Sequence, residues 1–220
     1  MALLVETPRV GIRRVSVSAM DNNVYLLTSK VSGEQVLIDA ADDVEAIRKL
    51  LLEGAADAAP VPALLRLIVT THSHWDHIRA LRALADMSGA RLAAGADDVA
   101  AIEAVTGARI GEPLADGDTV GVAGVELAVI HLRGHTPGSV ALALSDPDLP
   151  AQLFTGDSLF PGGVGNTGGD AARFELLFHD VVSKIFDVYD DSAVVWPGHG
   201  RPTTLGKERP ALGEWKGRGW

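Results

Sequence analysis

The sequence contains no cysteine in its 220 residues. This absence excludes disulfide bonds, thiolate metal ligands, iron–sulfur clusters and a cysteine nucleophile. Any metal ion would have to be bound by His, Asp or Glu side chains.

Long apolar runs are also missing. No run approaches the roughly 18 residues that cross a bilayer, so we expect no membrane-spanning segment and no membrane partner. The opening MALLVETPRVGIRR has a short apolar run with arginines after it, which is the reverse order of a secretory signal. We therefore expect a cytoplasmic protein.

Basic residues are in the minority. The 19 Lys and Arg against 29 Asp and Glu give a net charge of −10, which repels a phosphate backbone. A nucleic-acid partner is disfavoured and a small-molecule substrate is expected. The sequence does not specify an oligomeric state.

The length and the hydrophobic patterning predict one α/β domain over residues 1–220, with a short C-terminal extension over about 201–220. Apolar residues at helical spacing mark four helices, and short apolar runs between turn signals mark the strands. The predicted helices are 42–53, 78–87, 97–105 and 174–185. The predicted strands are 15–20, 23–29, 35–40, 64–71, 90–95, 125–132, 139–145, 151–156 and 192–200.

Four of these strands are followed at once by His or Asp. The stretches are LIVTTHSHWDH, LAVIHLRGHTPGS, LFTGDSLF and VVWPGHG. If the strands run in register, their ends meet at one edge, where loops on a rigid scaffold build sites. The sequence therefore predicts one pocket lined by five imidazoles and two carboxylates. These candidate ligands are His72, His74, Asp76, His77, His135, Asp157 and His199.

Seven donors exceed the four that one tetrahedral zinc ion takes, and a catalytic ion usually takes three from protein. They suit two divalent ions that share a carboxylate. His72 and His74 project the same way and can bind one ion, while Asp76 and His77 lie past the bend and can reach another. Zinc is the default for such a site, and iron or manganese would also fit these donors.

The motifs THSHWDH, GHTPGS, TGDSLF and PGHG, in this order and over about residues 15–205, resemble those of the metallo-β-lactamase-fold hydrolases. The resemblance implies a four-layer αβ/βα sandwich with the metal ions at the rim of the sheets. Within that superfamily, the signatures are similar to those of the glyoxalase II-like (hydroxyacylglutathione hydrolase-like) thioester hydrolases.

The resemblance also implies a ligand set. His72, His74 and His135 would bind the first ion, and Asp76, His77 and His199 the second, with Asp157 bridging. Asp39 matches a family aspartate that hydrogen-bonds the ligand loop. The alternative for Asp39 is an acid near the start of a helix.

A dinuclear centre predicts a metal-dependent hydrolase in which a bridging hydroxide attacks the substrate and Asp76 orients it. The four loops offer no spare general acid, and an amine leaving group generally needs one, whereas a thiolate does not. Thioesters or other esters of small molecules are therefore favoured over amides.

Two departures from the glyoxalase II-like pattern bear on the substrate. The loop PGGVGNTGG (161–169) carries no Lys or Arg, and only about 20 residues follow His199. We therefore expect a thiol other than glutathione, or recognition by the basic residues that remain. The candidate substrate contacts are Trp75, Phe160, Asn166, Arg173 and Arg201.

Two other functions stay open. Persulfide dioxygenases of the same superfamily share an HxHxDH element and GHTPG, use one iron held by two histidines and an aspartate, and usually lack the histidine that stands here as His199. A non-catalytic metal-binding protein is the other alternative.

Overall fold

The computed structural model describes residues 1–219, and two large β-sheets dominate it. The first sheet has seven strands in the order β1 to β7. Strands β1 to β4 are antiparallel and β4 to β7 are parallel. The strands are β1 Ala2–Glu6, β2 Val10–Val17, β3 Asn22–Ser29, β4 Glu34–Ile38, β5 Leu64–Thr70, β6 Arg91–Gly95 and β7 Glu112–Leu114.

The second sheet has six strands in the order β15-β14-β11-β10-β9-β8, and β12 and β13 form a separate hairpin. Only the β11–β14 pair is parallel in this sheet. The strands are β8 Thr119–Val122, β9 Val125–His131, β10 Val140–Leu144, β11 Gln152–Gly156, β12 Leu159–Phe160, β13 Gly163–Val164, β14 Val194–Pro197 and β15 Thr203–Thr204.

Six α-helices cover the outer faces of the sheets. The first begins at Asp43, whose side chain accepts a hydrogen bond from the Ala46 amide (3.0 Å), and this caps the helix N-terminus. The helices are α1 Val44–Asp57, α2 Leu81–Ser88, α3 Val99–Thr106, α4 Ala171–Val181, α5 Leu205–Glu208 and α6 Leu212–Arg218.

Alternating side chains of the strands build separate cores, because successive residues of a strand point to opposite faces. In β3, Leu26 packs under the helices of the first sheet and Leu27 packs between the two sheets. In the second sheet, Phe154 faces the central core, and Leu153 packs against α4 with Leu177. The layers therefore run helix, sheet, sheet, helix, and the predicted four-layer sandwich is confirmed.

The first long strand differs from its prediction. It was expected over 15–20 and runs over Val10–Val17. It ends there because Ser18 and Asp21 adopt positive φ angles of 64° and 59°, which belong to a turn and not to extended chain. The edge strand β1 precedes it and was not predicted.

The C-terminal extension folds into β15, α5 and α6, and Trp215 is 1% exposed in the core beneath α4. Its last residue, Trp220, lies outside the described residues. Among residues 1–219, no helix combines the length and apolar character that crossing a membrane requires.

Candidate metal centre

The seven predicted ligands come together at one edge of the two sheets, because each follows the end of a strand there. Their donor atoms form three overlapping groups, and within each group the atoms lie within 4.8 Å of one another. The groups are His72 with His74 and His135, Asp76 with His77 and His199, and Asp157 with His72 and His77.

We name these the first group (His72, His74, His135) and the second group (Asp76, His77, His199). Asp157 lies between them. Its Oδ2 is 4.0 Å from the Nε2 of His72 and 3.3 Å from the Nε2 of His199. Its Oδ1 is 3.5 Å from the Nε2 of His77. One carboxylate therefore reaches donors of both groups.

The donors fit metal ions on two grounds. Two ligands bound at about 2.1 Å to one tetrahedral ion lie about 3.4 Å apart, and the contacts of Asp157 are close to this separation. Three buried donor atoms, His72 Nε2, His135 Nε2 and Asp157 Oδ1, have no hydrogen-bond partner among the described residues. Native proteins rarely leave buried polar atoms unsatisfied, and these three lie among the clustered donors, so they are suited to bind a metal ion.

The Nδ1 atoms of four histidines are held from outside the centre. His135 Nδ1 donates to the Asn166 carbonyl (2.7 Å), and His199 Nδ1 donates to the Met20 carbonyl (2.8 Å). When the imidazole is neutral, a donating Nδ1 leaves Nε2 without a proton and able to bind a metal ion. The other two such contacts are His77 Nδ1 to Asp39 Oδ2 (2.9 Å) and His72 Nδ1 to Thr71 Oγ1 (3.1 Å).

Asp39 supports the ligand loop and does not cap the following helix. Its Oδ1 accepts from the Thr71 amide (2.7 Å), and its Oδ2 accepts from the Thr71 hydroxyl (2.8 Å) and from His77 Nδ1. The cap of α1 is Asp43. Of the two sequence alternatives, the geometry supports the ligand-loop contact.

Two histidines of the first group and two of the second have pKa values shifted in opposite directions. Burial, with the neighbouring imidazoles, holds the pKa of His72 well below its usual value, and burial also lowers the pKa of His135. Burial would lower the pKa of His77 too, but Asp39, Asp157 and Asp76 together raise it. Burial would also lower the pKa of His199, but Asp157, the Met20 carbonyl and Asp76 together raise it to about 9.

Sequence reasoning missed Asn22, a fully buried residue at the start of β3. Its Nδ2 donates to Asp76 Oδ2 (2.9 Å), and its Oδ1 accepts from the Ser18 hydroxyl (2.6 Å). This contact orients the carboxylate of Asp76. A neutral amide in a strand carries no sequence signal for such a role.

Two of the predicted substrate contacts bond to the loop that carries His135. Arg173 donates through Nε to the Gly134 carbonyl (2.8 Å) and through its terminal Nη2 to the His135 carbonyl. Asn166 is exposed, and its backbone carbonyl accepts from His135. Their contact with a substrate stays a prediction, and their visible contacts hold the first group.

The other three candidates lie nearer the surface. Trp75 is 51% exposed, and the guanidinium of Arg79 lies 3.8 Å from its ring centroid. Phe160 is half-buried in the β12–β13 hairpin, and Arg201 is exposed two residues after His199. The substrate role of each stays a prediction.

The C-terminal extension holds the start of the Gly-rich loop. Buried Glu208 accepts from the Gly162 amide (2.9 Å), and Arg218 donates to the Gly162 carbonyl (2.8 Å). Further along, the loop packs against Asp157, because a Cβ on Gly165 would lie 1.7 Å from the Asp157 carbonyl oxygen. The extension therefore fixes a loop that reaches the metal centre.

The family model described as "Metallo-beta-lactamase superfamily" matches residues 18–199 of the chain. This range contains all seven candidate ligands. The chain is also similar to the hydroxyacylglutathione hydrolase of Anaeromyxobacter dehalogenans, with 34% identity over 186 residues that cover 81% of this chain and 61% of that protein.

Two further similarities differ in what they indicate. The mitochondrial persulfide dioxygenase ETHE1 of Bos taurus is 34% identical over 178 residues, covering 80% of this chain and 62% of that protein. The crystal structure of TTHA1623 in a di-iron-bound form has a TM-score of 0.66 and 28% identity, covering 90% of this chain and 96% of that one. The relatives thus include a hydrolase and a dioxygenase.

Proposed function

Because the chain belongs to the metallo-beta-lactamase superfamily of metal-dependent enzymes, we propose that it is a dinuclear hydrolase acting on small-molecule thioesters. The single observation that carries this proposal is the position of His199. Its Nε2 lies 3.1 Å from His77 Nε2 and 3.3 Å from Asp76 Oδ2. This completes a second set of ligands beside the three histidines of the first group.

Two divalent ions bound here, most simply zinc, would lower the pKa of a shared water toward neutrality and polarise the substrate carbonyl. The residues of the chain supply the rest. Asp76 is held by Asn22, and its carboxylate can orient the attacking water. The relative solved in a di-iron-bound form supports two ions and leaves the metal to be measured.

The leaving group favours a thioester. A thiol has a pKa near 8.5, so a thiolate departs without protonation, whereas an amine generally needs a general acid. The titratable side chains of the centre are already engaged as candidate ligands or as their supports. An ester of an acidic alcohol would meet the same requirement.

Glutathione is not the thiol that the structure favours. Arg173 is the first basic residue after the Gly-rich loop. Its Nε and one terminal nitrogen donate hydrogen bonds to the carbonyls of Gly134 and His135. A carboxylate-bearing thiol would have to be held by Arg201 or by the basic residues of the extension. We therefore propose a thioester whose thiol carries little negative charge.

The test is a panel of substrates with the zinc-loaded protein. Turnover is measured on a glutathione thioester, a thioester of an uncharged thiol, an oxygen ester and a β-lactam, and oxygen uptake is measured with glutathione persulfide and iron-loaded protein. We expect the highest kcat/KM on the uncharged thioester. Asp76→Ala should abolish this turnover, and Asp97→Ala, which changes an exposed acid, should not.

Two outcomes would overturn the proposal. Rapid oxygen uptake with the persulfide and no thioester hydrolysis would make the chain a dioxygenase, as its similarity to the bovine enzyme suggests. Equal thioester hydrolysis by the wild-type protein and Asp76→Ala would mean that the centre does not carry out the reaction.

A further inference from the structure

Asp98 is a buried carboxylate, 1% exposed, that is not one of the seven candidate ligands. It ends a short 3-10 helix, Ala96–Asp98, directly after β6. Its Oδ2 accepts hydrogen bonds from the Ser73 amide (2.8 Å) and the Thr136 hydroxyl (2.6 Å), and its Oδ1 accepts from the Gly138 amide (2.8 Å). One side chain thus joins two loops that are more than 60 residues apart in the sequence.

The two loops carry the whole first group. Ser73 lies between His72 and His74, and Thr136 directly follows His135. A shift of either loop would change the separation between these imidazoles, whose ring centroids lie 4.5 to 4.9 Å apart. Asp98 therefore fixes the distance on which the first group depends.

The close approach of the loops leaves little room for adjustment. A Cβ on Gly138 would lie 2.4 Å from the Asp98 nitrogen, and a Cβ on Gly95 would lie 1.9 Å from the Gly138 carbonyl oxygen. The hydroxyls of Thr136 and Ser139 both donate and accept hydrogen bonds. Thr136 Oγ1 donates to Asp98 and therefore accepts from Ser139 Oγ (2.6 Å). Ser139 Oγ also accepts from the Thr136 amide (3.1 Å).

We propose that Asp98 is a positioning residue for the first group, which sets the affinity of that group for its ion without binding the ion or the substrate. The second group has other supports. His77 is held by Asp39, His199 by the Met20 carbonyl and Asp76 by Asn22. The inference rests on the candidate metal centre and not on the reaction proposed above.

The test isolates each group in a parent variant. His199→Ala keeps the first group intact, and His74→Ala keeps the second. Asp98→Asn is added to each, because the amide keeps the size of the side chain and replaces one acceptor with a donor. The dissociation constant for Zn²⁺ is then measured by competition with a chromophoric chelator, and catalytic activity is not needed.

The expected result is selective. In the His199→Ala parent, Asp98→Asn should weaken Zn²⁺ binding about 10- to 100-fold, as loss of an outer partner of a ligand does. In the His74→Ala parent, the change should stay within about twofold, as for independent sites. Asp97→Asn, an exposed acid on the same turn, is the matched control and should change neither constant.

Thr136 gives a second, milder test if Asp98→Asn does not fold. Thr136→Val removes one of the three hydrogen bonds and should weaken only the first group, while Thr136→Ser keeps the hydroxyl and should restore the affinity. Equal weakening in both parents would make Asp98 a general structural residue. An unchanged Zn²⁺ affinity in both parent variants, with circular dichroism showing folded protein, would also overturn the proposal.

Discussion

The two halves of the metal centre are built on different physical principles. The first group consists of three imidazoles, and two of their Nε2 atoms are buried with no hydrogen-bond partner within residues 1–219. The second group combines two imidazoles with the carboxylate of Asp76. Burial lowers the pKa of His72 and of His135, whereas neighbouring carboxylates raise the pKa of His77 and of His199. The histidines of the second group therefore hold protons more tightly than His72 and His135 do.

The supports of the two halves differ accordingly. Three acceptors from separate segments hold the loops of the first group in place. They are the Asn166 carbonyl, the Thr71 hydroxyl and the Asp98 carboxylate. Asp39 supports both groups, through Thr71 beside His72 and through His77, and Asn22 holds Asp76 of the second group. The comparison teaches that the first group is organised mainly by fixed distance and the second mainly by charge.

Removal of Asp157 should weaken metal binding by both groups. Its carboxylate lies near donors of the first group and of the second group. Asp157→Ala would therefore take a candidate ligand from each group and leave His77 and His199 with less compensating charge. We expect Zn²⁺ affinity to fall more than about 100-fold in both parent variants, beyond the range for outer partners. Metal analysis after gel filtration measures this. Loss confined to one parent would show that Asp157 does not bridge.

Asn22→Ala should weaken Zn²⁺ binding only by the second group, whereas Asp98→Asn should weaken it only by the first. The change removes the donor that orients Asp76, so Zn²⁺ binding in the His74→Ala parent should weaken about 10- to 100-fold. The His199→Ala parent should not respond. Ser145→Ala, which removes an exposed hydroxyl just after the end of β10, serves as the control.

The pH dependence of metal binding should separate the halves further. His199 has a pKa raised to about 9 in the metal-free protein, so below pH 9 a proton must leave before its Nε2 can bind an ion. Affinity of the second group should therefore fall about tenfold for each pH unit below 9. In the first group His72 and His135 are already neutral above pH 7, because their pKa values are lowered.

Calorimetry in buffers of different ionisation enthalpy measures this proton release. The His74→Ala parent should release protons as it binds Zn²⁺ at pH 7.5, and the His199→Ala parent should release fewer. Equal release by the two parents would contradict the contrast in charge between the halves.

The candidate ligands could be predicted from sequence because their chemistry restricts the residue type. In a chain without cysteine, a transition-metal site is built mainly from His, Asp and Glu, and all seven candidates follow strand ends that the apolar runs reveal. The four-layer sandwich was implied by the resemblance of the motifs to those of the metallo-β-lactamase-fold hydrolases. The strands β7 and β15 were not predicted, because two or three residues carry too weak a pattern.

The supports of the ligands could not be predicted, because their role depends on contacts between distant segments. Asp98 precedes a helix, where an acid is ordinarily explained by the helix dipole. Only the fold shows that its carboxylate turns to Ser73 and Thr136. Likewise, Arg173 looked free to bind a substrate in the sequence, and the fold gives its guanidinium two carbonyl partners.

The smallest effect should come from Trp75, which lies between His74 of the first group and Asp76 of the second. Its ring is half exposed and contacts the Arg79 guanidinium, a contact worth about 0.5–1 kcal/mol at an exposed site. Trp75→Ala should therefore lower the free energy of unfolding by less than about 1 kcal/mol and leave both Zn²⁺ affinities unchanged.

If the ring of Trp75 borders the substrate, KM for the preferred thioester should rise in Trp75→Ala while kcat stays constant. Val105→Ala, an exposed apolar change on α3, is the control. A fall in Zn²⁺ affinity would mean that Trp75 belongs to the metal centre, and an unchanged KM would mean that its ring only packs on Arg79.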